Sequence, residues 1–424
     1  MTKMMNQCGA MLVLLAAMLT GLAPAQDHAP PTNPRNQILV SPQGPIDGGD
    51  FGPNTPGTKT SGLQEALDAA KARAMDVYIA GGSWTAEKTK PVVYNLDTTL
   101  QVPWMQNFRL DSGHCVLNHT QKTGDAIVFD SQMSCAYRLG LVVSLSDGAV
   151  VRLKPTTAGP DRFKVITSTE ITINALVGGG GAWPGGEPHK NELDRVRRWI
   201  GTGLWLDGGE GSIDANKITV IETVGCGVGL LLTGRVSRNT IEETNIHLSG
   251  DHIRIGGPHD ALPSDNRIEA FMDCQGIEAS AGAIVFGRSN LLTLSARAFP
   301  RGLDLVFEKS AAGNLAIMHS PVHAVDQSPG RTNRVIAAGD SSSLPAEVPV
   351  PTSGEACRND GLAPIEIRIL TPGRVRSWSE LASNGKVQEV RGPLFAGQSI
   401  ILRPGESVTL DYSDPPTWRW KEIR

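Results

Sequence analysis

The sequence predicts an all-β protein, a right-handed parallel β-helix with an N-terminal capping helix and a small C-terminal β-module. The first observation is an asparagine that recurs in front of short apolar strands, at Asn216, Asn239, Asn266, Asn290, Asn314 and Asn333. The second is a strand series of the same period but a different phase, which begins at Gly203, Gly229, Asp251, Gly282 and Gly302. Two interleaved series with one period indicate the successive coils of a solenoid.

Both series place side chains at fixed positions of each coil. Equivalent strands of neighbouring coils lie about 4.8 Å apart, so Ile218, Ile241 and Ile268 are expected to stack inside the solenoid. The asparagines are expected to stack at one corner, where their amides satisfy the backbone of the turn. A β-sandwich also has short strands, but it does not explain an asparagine at one fixed place in successive units.

The N-terminus has the features of a secretory signal peptide over residues 1–25. Lys3 precedes an apolar run from Ala10 to Leu22, and Ala23-Pro24-Ala25 fits a cleavage site of small residues. The alternative is a membrane anchor, but the run is too short for one, so we expect a secreted or periplasmic protein without a membrane span. Residues 26–59 are rich in Pro, Gly and Asn and are expected to form a linker.

The rest of the chain divides into a solenoid over residues 60–338, a linker over 339–359 and a small all-β module over 360–424. The solenoid is expected to begin with a helix over residues 60–74, because Leu63, Ala66, Leu67 and Ala70 recur on one helical face. The C-terminal module is expected to be either a separate domain or a cap that covers the edge of the last coil.

Composition limits the partners and cofactors. The 424 residues carry a net charge of −4, so no strong basic field is available to attract nucleic acid. Removal of residues 1–25 would leave an odd number of cysteines without a CxxC spacing, which predicts buried free thiols instead of disulfides or a zinc site: Cys115, Cys135, Cys226, Cys274 and Cys357. No cofactor is predicted, apart from Ca²⁺ in one alternative below.

The chain resembles the pectate-lyase-like superfamily of right-handed β-helices. The resemblance rests on the segment Ser61–Ala70, on the strand Val77–Gly82 and on the Asn- and Gly-phased coils. It implies a helix that caps the first coil, and a function among those of polysaccharide lyases, glycoside hydrolases, uronan epimerases and phage tailspikes. The polygalacturonase-type catalytic set is absent. Alginate epimerase-like proteins carry Asp-Pro-His-Asp where this chain has Gly257-Pro258-His259-Asp260, so only His259 and Asp260 carry over as candidate catalytic residues.

A pair of glutamates is the main catalytic candidate on the strands. The third position after each ladder asparagine is expected to face outward, and it is occupied by Thr219, Glu242, Glu269, Thr293 and Ile317. Glu242 and Glu269 would then lie on adjacent coils, roughly 5 Å apart. That separation suits the acid and nucleophile of a retaining glycosidase or a shared Ca²⁺. The alternative is an exposed acidic pair that Lys217, Arg267 or Arg297 neutralises.

The second strand series supplies one charged candidate. Its outward positions are expected to be Trp205, Leu231, Arg254, Val285 and Val306. Arg254 could act as the base of a uronan lyase or as the cation that stabilises a substrate carboxylate, and the alternative is an ordinary surface arginine.

Two loops supply further candidates. The loop from Gly178 to Gly201 is expected to bind an acidic polysaccharide through aromatic stacking and Arg–carboxylate pairing, with contacts from Trp183, His189, Arg195, Arg198 and Trp199. The alternative is a helix with a solvated basic face. In the loop from Gly256 to Asp265, His259 could act as a general base, and the alternative is a surface turn.

These observations leave two functional hypotheses. The first is an exported carbohydrate-active protein that cleaves or epimerises a polysaccharide, as a lyase, glycoside hydrolase or epimerase. The second is a non-catalytic glycan-binding or tailspike-like structural protein, and the apolar outward positions of the second series would then mediate a homotrimer. Catalysis requires the candidate residues to line one groove, whereas a scaffold leaves them scattered beside a bare apolar face.

Overall fold

The computed structural model describes residues 36–81, 91–159, 162–181, 192–258, 262–275, 281–297, 299, 303–320, 322–330, 332–337, 349–359, 364–382 and 386–422. Its larger part is a stack of short parallel strands, which confirms the predicted all-β, parallel solenoid. The strands of the stack are β1 (Gln37–Val40), β2 (Asp76–Ile79), β3 (Val93–Leu96), β4 (Leu100–Val102), β5 (Met105–Gln106), β6 (Arg109–Asp111), β7 (Val116–His119), β8 (Ile127–Phe129), β9 (Gln132–Met133), β10 (Ala136–Ser144), β11 (Ala149–Leu153), β12 (Val165–Thr167), β13 (Glu170–Val177), β14 (Ile200–Asp214), β15 (Lys217–Val224), β16 (Cys226–Ser237), β17 (Thr240–His247), β18 (Asp251–Ile255), β19 (Arg267–Asp273), β20 (Ala281–Val285), β21 (Leu291–Arg297), β22 (Leu303–Phe307), β23 (Leu315–Met318), β24 (Val322–Asp326) and β25 (Arg334–Ala337).

The coils stack their strands into separate parallel sheets. The first sheet, which contains the strands that follow the ladder asparagines, runs in the order β1-β2-β6-β10-β13-β15-β17-β19-β21-β23-β25. The second sheet runs in the order β24-β22-β20-β18-β16-β14-β11-β8-β4. A narrow third face is formed by β5, β9, β12 and the last residues of β14 and β16. Isolated bridges through Ser264, Arg288 and Ala312 continue that face toward the C-terminal coils.

The chain turns the same corner before four successive strands of the first sheet, β15, β17, β19 and β21. The residue in front of the ladder position has a left-handed backbone, with φ of 56° at Ala215, 55° at Arg238, 58° at Asp265 and 53° at Ser289. This conformation costs about 1 kcal/mol or more for a residue with a Cβ atom. The corner therefore needs a compensating interaction, and the next residue supplies it.

That interaction is the predicted asparagine ladder. From Asn216 to Asn333, the backbone N and the side-chain Nδ2 of each asparagine donate to Oδ1 of the next, at 2.8–3.1 Å. Each Nδ2 also donates to a backbone carbonyl oxygen, such as that of Val236 for Asn266. The row ends where Nδ2 of Asn333 donates to the carboxylate of Asp326 and to Oγ of Ser328.

One continuous hydrophobic core fills the solenoid. Ile218, Ile241 and Ile268 are fully buried and occupy paired positions on neighbouring strands, as the sequence predicts. Burial of one such side chain contributes about 1.5–3 kcal/mol relative to its exposed state. Because every inward position packs against its equivalents in the coils above and below, the register of each strand is fixed by its neighbours.

A helix packs on the N-terminal strands. Helix α1 (Leu63–Arg73) buries Leu63, Ala66, Leu67 and Ala70, the four residues that the sequence places on one face. Oγ1 of Thr60 accepts a hydrogen bond from the backbone N of Gln64 and caps the first turn. The apolar face therefore joins the solenoid core at its first coils.

Two segments expected to be linkers contain strands in their described parts. Strand β1 lies within residues 26–59 and pairs with β2, because Ile38 and Val40 of the short run Gln37–Val40 are buried in the core. Strand β26 (Ala356–Arg358) lies within residues 339–359 and pairs with a strand of the C-terminal module. Both runs are short and surrounded by Pro and Gly, so the sequence pattern does not indicate them as strands.

The C-terminal residues form a small antiparallel unit with its own core. Its further strands are β27 (Ile365–Thr371), β28 (Val375–Leu381), β29 (Val387–Arg391), β30 (Ser399–Leu402), β31 (Ser407–Tyr412) and β32 (Thr417–Glu422). They form a sheet of order β26-β31-β28-β29 and a sheet of order β30-β27-β32. The core between them includes Ile367, Trp378, Leu402, Leu410 and Trp418.

No disulfide joins the cysteines within the described residues. Cys115, Cys135, Cys226 and Cys274 are buried, and Cys357 is half-buried. Burial raises the pKa of the Cys115 and Cys226 thiols to about 12. At neutral pH these two side chains are therefore protonated and act as small apolar groups of the core.

The ladder should be the most sensitive polar feature of the fold. Asn266→Ala removes hydrogen bonds to both neighbouring coils and leaves buried groups unpaired, so we expect the free energy of unfolding to fall by about 2–4 kcal/mol. Urea unfolding followed by circular dichroism measures the change as a shift of the midpoint.

The matched control is a second pair of asparagines on neighbouring coils. Nδ2 of Asn118 donates to Oδ1 of Asn95 at 3.0 Å, but this bond is exposed to solvent. Asn95→Ala is expected to change the free energy of unfolding by less than about 0.5 kcal/mol. Equal midpoint shifts for the two variants would show that the buried ladder contributes no more to stability than the exposed pair.

Candidate functional site

The two candidate glutamates lie on adjacent rungs of the first sheet. The strand register pairs Thr219 with Glu242, Glu242 with Glu269 and Glu269 with Thr293, which confirms the predicted alignment of this outward column. Glu242 is half-buried, whereas the side chain of Glu269 is 58% exposed. Both carboxylates lie on the same surface of the solenoid.

These carboxylates line a groove of about 420 Å³, which we call the carboxylate groove. A second outward column, two residues further along each strand, completes its wall. Phe271 pairs with Ser295, and His319 follows directly after Met318 on the next rung. The residues that line the groove are Glu242, Glu243, Thr244, Glu269, Ala270, Phe271, Thr293, Ser295 and His319.

A β-bulge shapes one end of the groove. Strand β17 carries one residue more than β19 between Glu243 and Ile246, so Thr244 and Asn245 lie opposite a single residue of the next rung. Such bulges bend a strand and change the direction of the side chains beside it. The step produced here lies beside Phe271, which lines the groove and has the guanidinium of Arg297 5.7 Å from its ring centroid.

Of the three cations expected to neutralise the glutamates, only Arg267 lies close to one. Its Nη2 is 3.9 Å from Oε2 of Glu269, and both side chains are well exposed, so this ion pair is weak. Lys217 pairs with Glu170 instead, at 3.7 Å. Arg297 pairs with the buried carboxylate of Asp273 at 2.5 Å. Within the described residues that line the groove, there is no Lys or Arg.

Oε2 of Glu242 has one neighbouring donor, Oγ1 of Thr219, at 3.5 Å. Thr219 occupies the preceding rung of the same column. The groove thus combines two carboxylates with the hydroxyls of Thr293 and Ser295, an imidazole and an aromatic face. These groups can transfer protons, donate hydrogen bonds to hydroxyl-rich ligands and stack on an apolar ring face.

The sequence prediction missed a third glutamate, Glu243. Its neighbours across the sheet are Val220 and Ala270, two core residues, so its side chain occupies an inward position. It is 1% exposed, and Oε2 accepts a hydrogen bond from Oγ1 of Thr223 at 3.0 Å. Burial raises the pKa of Glu243 to about 8. The alternation from Ile241 inward to Glu242 outward already places the next residue inside.

Arg254 does not belong to this groove. It lies on β18 of the second sheet, where it pairs with Leu231, and its guanidinium forms an ion pair with Asp251. The expectation for Val285 is wrong by one residue. Val285 is fully buried, and Ile284 occupies the outward position between Arg254 and Val306.

Of the loop candidates, the structure describes the side chains of Trp199 and Arg198. Trp199 packs with Val196 of helix α2 (Glu192–Arg197) over Val177 and Val224, an apolar patch outside the first sheet. Arg198 forms an ion pair with Asp194 at 3.2 Å. The positions of Trp183, His189, His259 and Asp260, and the side chain of Arg195, lie outside the described residues.

The residues that the structure describes contain no group of three or more His, Cys, Asp or Glu side chains that could hold a metal ion. No helix among them combines the length and the hydrophobicity needed to cross a bilayer.

Comparison with known proteins adds one partial similarity. No family model matches the chain. A stretch of 49 residues, 12% of the chain, is 41% identical to the protein ApaG of Rhodospirillum centenum. The match covers 33% of ApaG, so the chain spans about a third of the length of this curated relative. The similarity identifies neither a family for the whole chain nor a function.

Glu243 should make the stability of the solenoid depend on pH. Its carboxyl has a pKa of about 8 when folded and an ordinary value of 4.5, so the folded state holds the proton more tightly. The stabilisation that the folded state gains from this proton is complete below pH 4.5 and is lost as the pH rises toward 8. Over that interval the free energy of unfolding should fall with pH, at a slope that approaches about 1.4 kcal/mol per pH unit.

Glu243→Gln should remove this slope, because the amide is neutral at every pH. Glu242→Gln is the matched control, since the adjacent side chain faces outward and its replacement should leave the slope in place. Urea unfolding at several pH values between 5 and 8 measures both variants. If the free energy of unfolding of Glu243→Gln still falls with pH at this slope, the proton belongs to another group.

Proposed function

We propose that the protein is an exported glycoside hydrolase that cleaves a polysaccharide in the carboxylate groove, with Glu242 and Glu269 as the catalytic pair. The observation that carries the proposal is their position on adjacent rungs of one sheet, within one groove. Adjacent parallel strands lie about 4.8 Å apart, close to the roughly 5 Å between the carboxyls of retaining glycosidases.

In this mechanism one carboxyl group protonates the glycosidic oxygen while the other attacks the anomeric carbon. The bond to the leaving sugar breaks as the glycosyl–enzyme bond forms. The first residue then removes a proton from water, which attacks the anomeric carbon and releases the second sugar. Phe271 would stack on a sugar ring, and Thr293, Ser295 and His319 would hydrogen-bond its hydroxyls.

The charge of the groove favours hydrolysis over the lyase and epimerase alternatives. Both of those reactions remove a proton next to a uronate carboxylate, and a cation must stabilise that carboxylate. The described lining holds two outward glutamates and neither Lys nor Arg. Arg267 and Arg297 lie beside the groove but pair with Glu269 and Asp273, and Arg254 lies on another sheet. A neutral or amino sugar fits the negative charge of this groove better than a uronate.

The finer description of the fold and location is part of the same proposal. The parallel coils, the asparagine ladder and the packed helix α1 support a right-handed β-helix of the pectate-lyase-like type. The apolar run in residues 1–25 and the small residues that follow it support a secreted or periplasmic location.

A non-catalytic scaffold is the second candidate, and one observation favours it. The second sheet presents an outward column of half-buried side chains that is apolar except at Arg254, which lies between Leu231 and Ile284; its apolar members are Trp205, Leu231, Ile284, Val306 and Val325. Such a column suits a homotrimer of tailspike type. Light scattering coupled to size exclusion would show a trimer for the scaffold, and Leu231→Glu should dissociate it.

The enzymatic proposal is tested on a panel of neutral, amino-sugar and uronate polysaccharides. New reducing ends report hydrolysis, whereas ultraviolet absorbance of an unsaturated product reports a lyase. We expect hydrolysis of a neutral or amino polysaccharide, and a loss of about 10²–10⁴-fold in Glu242→Gln and in Glu269→Gln, because each removes an acid–base or nucleophilic group.

The matched control is Glu170→Gln, an exposed glutamate on the first sheet that pairs with Lys217 outside the groove. It should retain full activity. All three variants should unfold at the same urea concentration as the parent protein. Absence of product across the panel, or equal activity in all variants, would refute the proposal.

A further inference from the structure

A second groove lies on the third face of the solenoid and has the opposite charge. Its volume is about 510 Å³. We call it the basic groove, and its lining consists of Met133, Arg162, Phe163, Lys164, Val165, Thr167, Glu210, Gly211, Ser212 and Arg235. Strands β9, β12 and the end of β14 form its floor. Three cationic side chains and a single carboxylate therefore surround it, in a chain with a net charge of −4.

Backbone hydrogen bonds to Gly159 hold Phe163 at the rim of this groove. The backbone N of Gly159 donates to the carbonyl oxygen of Phe163 at 3.0 Å, and that of Arg162 donates to the carbonyl oxygen of Gly159 at 2.9 Å. Arg162 has a left-handed backbone with φ of 65°, an uncommon conformation for a residue with a long side chain. The result is a phenylalanine that is 67% exposed between two cationic residues.

The opposite side of the basic groove carries an anchored arginine. Nε of Arg235 donates to the carbonyl oxygen of Gly211 at 3.1 Å, and Nη2 donates to that of Glu210 at 3.4 Å. These two bonds orient the planar guanidinium, which has five N–H donors. Arg235 is exposed, so its outer edge faces solvent.

One carboxylate does not neutralise the cations. Glu210 lies 3.6 Å from Nζ of Lys164 and 3.8 Å from Nζ of Lys154, and it is shared between the two ammonium groups. These pairs are largely exposed and weak. The basic groove therefore keeps a positive excess next to an exposed aromatic ring.

We propose that the basic groove binds an anionic sugar residue of a glycan, a uronate or a sulfated sugar. The apolar face of the ring would stack on Phe163, while Arg162, Lys164 and Arg235 would bind its carboxylate or sulfate. A nucleic acid fits less well, because its single-strand sites use successive aromatic platforms in a long basic channel. This site is separate from the carboxylate groove, and its existence does not depend on hydrolysis there.

Calorimetric titration of the full chain with a short oligogalacturonate tests this inference. A neutral maltooligosaccharide of the same length and a poly-glutamate peptide are the comparison ligands. We expect binding of the oligogalacturonate that weakens as salt is added, and a loss of about tenfold or more in affinity for Phe163→Ala and for Lys164→Gln.

Lys71→Gln, at an exposed lysine of helix α1, is the matched control and should bind as the parent does. Glu242→Gln and Glu269→Gln should also bind normally, which separates this proposal from the hydrolase proposal. Equal binding of poly-glutamate, unaffected by Phe163→Ala, would overturn the sugar site in favour of unspecific charge attraction. Equal binding of the neutral oligosaccharide, or no binding of the oligogalacturonate, would overturn it as well.

Discussion

The buried asparagine ladder is the interaction on which the regular stacking of the coils depends. A left-handed residue at each corner reverses the chain and exposes backbone groups that a solenoid has to satisfy internally. One amide side chain per coil satisfies them, and it also bonds to the equivalent amide of the next coil. The ladder thus couples the corner of one coil to that of the next. Because the corners are aligned, the outward positions of successive coils are aligned as well. Residues far apart in sequence therefore form straight columns on the surface.

The carboxylate groove follows from that alignment. Glu242 and Glu269 are 27 residues apart in the chain, yet the ladder spacing brings them to adjacent rungs. The basic groove forms on the third face, where β12 and the end of β14 lie side by side. The two grooves have opposite charge and lie on different faces.

The sequence predicted what periodicity alone can determine. The column from Thr219 to Thr293 was correctly aligned, because the asparagine three residues upstream marks the register. The outward position was predicted at Val285 instead of Ile284. Because Ala283, Ile284 and Val285 are all apolar, an alternation of polar and apolar residues cannot show there which side chain faces outward. The packing of Trp199 was not predicted. Val177 and Val224 form an apolar patch on the outside of the sheet, and the tryptophan packs against it.

The last member of the ladder also limits how this protein can grow. The side-chain amide of each asparagine from Asn216 to Asn314 donates to the amide of the next ladder asparagine. An inserted copy of one coil would therefore have matching hydrogen-bond partners on both sides. Asn333 instead donates to Asp326 and Ser328, which lie within the same coil. A copy placed after it would meet an amide whose donors are already engaged. Duplication of internal coils could thus lengthen the solenoid, whereas extension at this end would first require a change at Asp326.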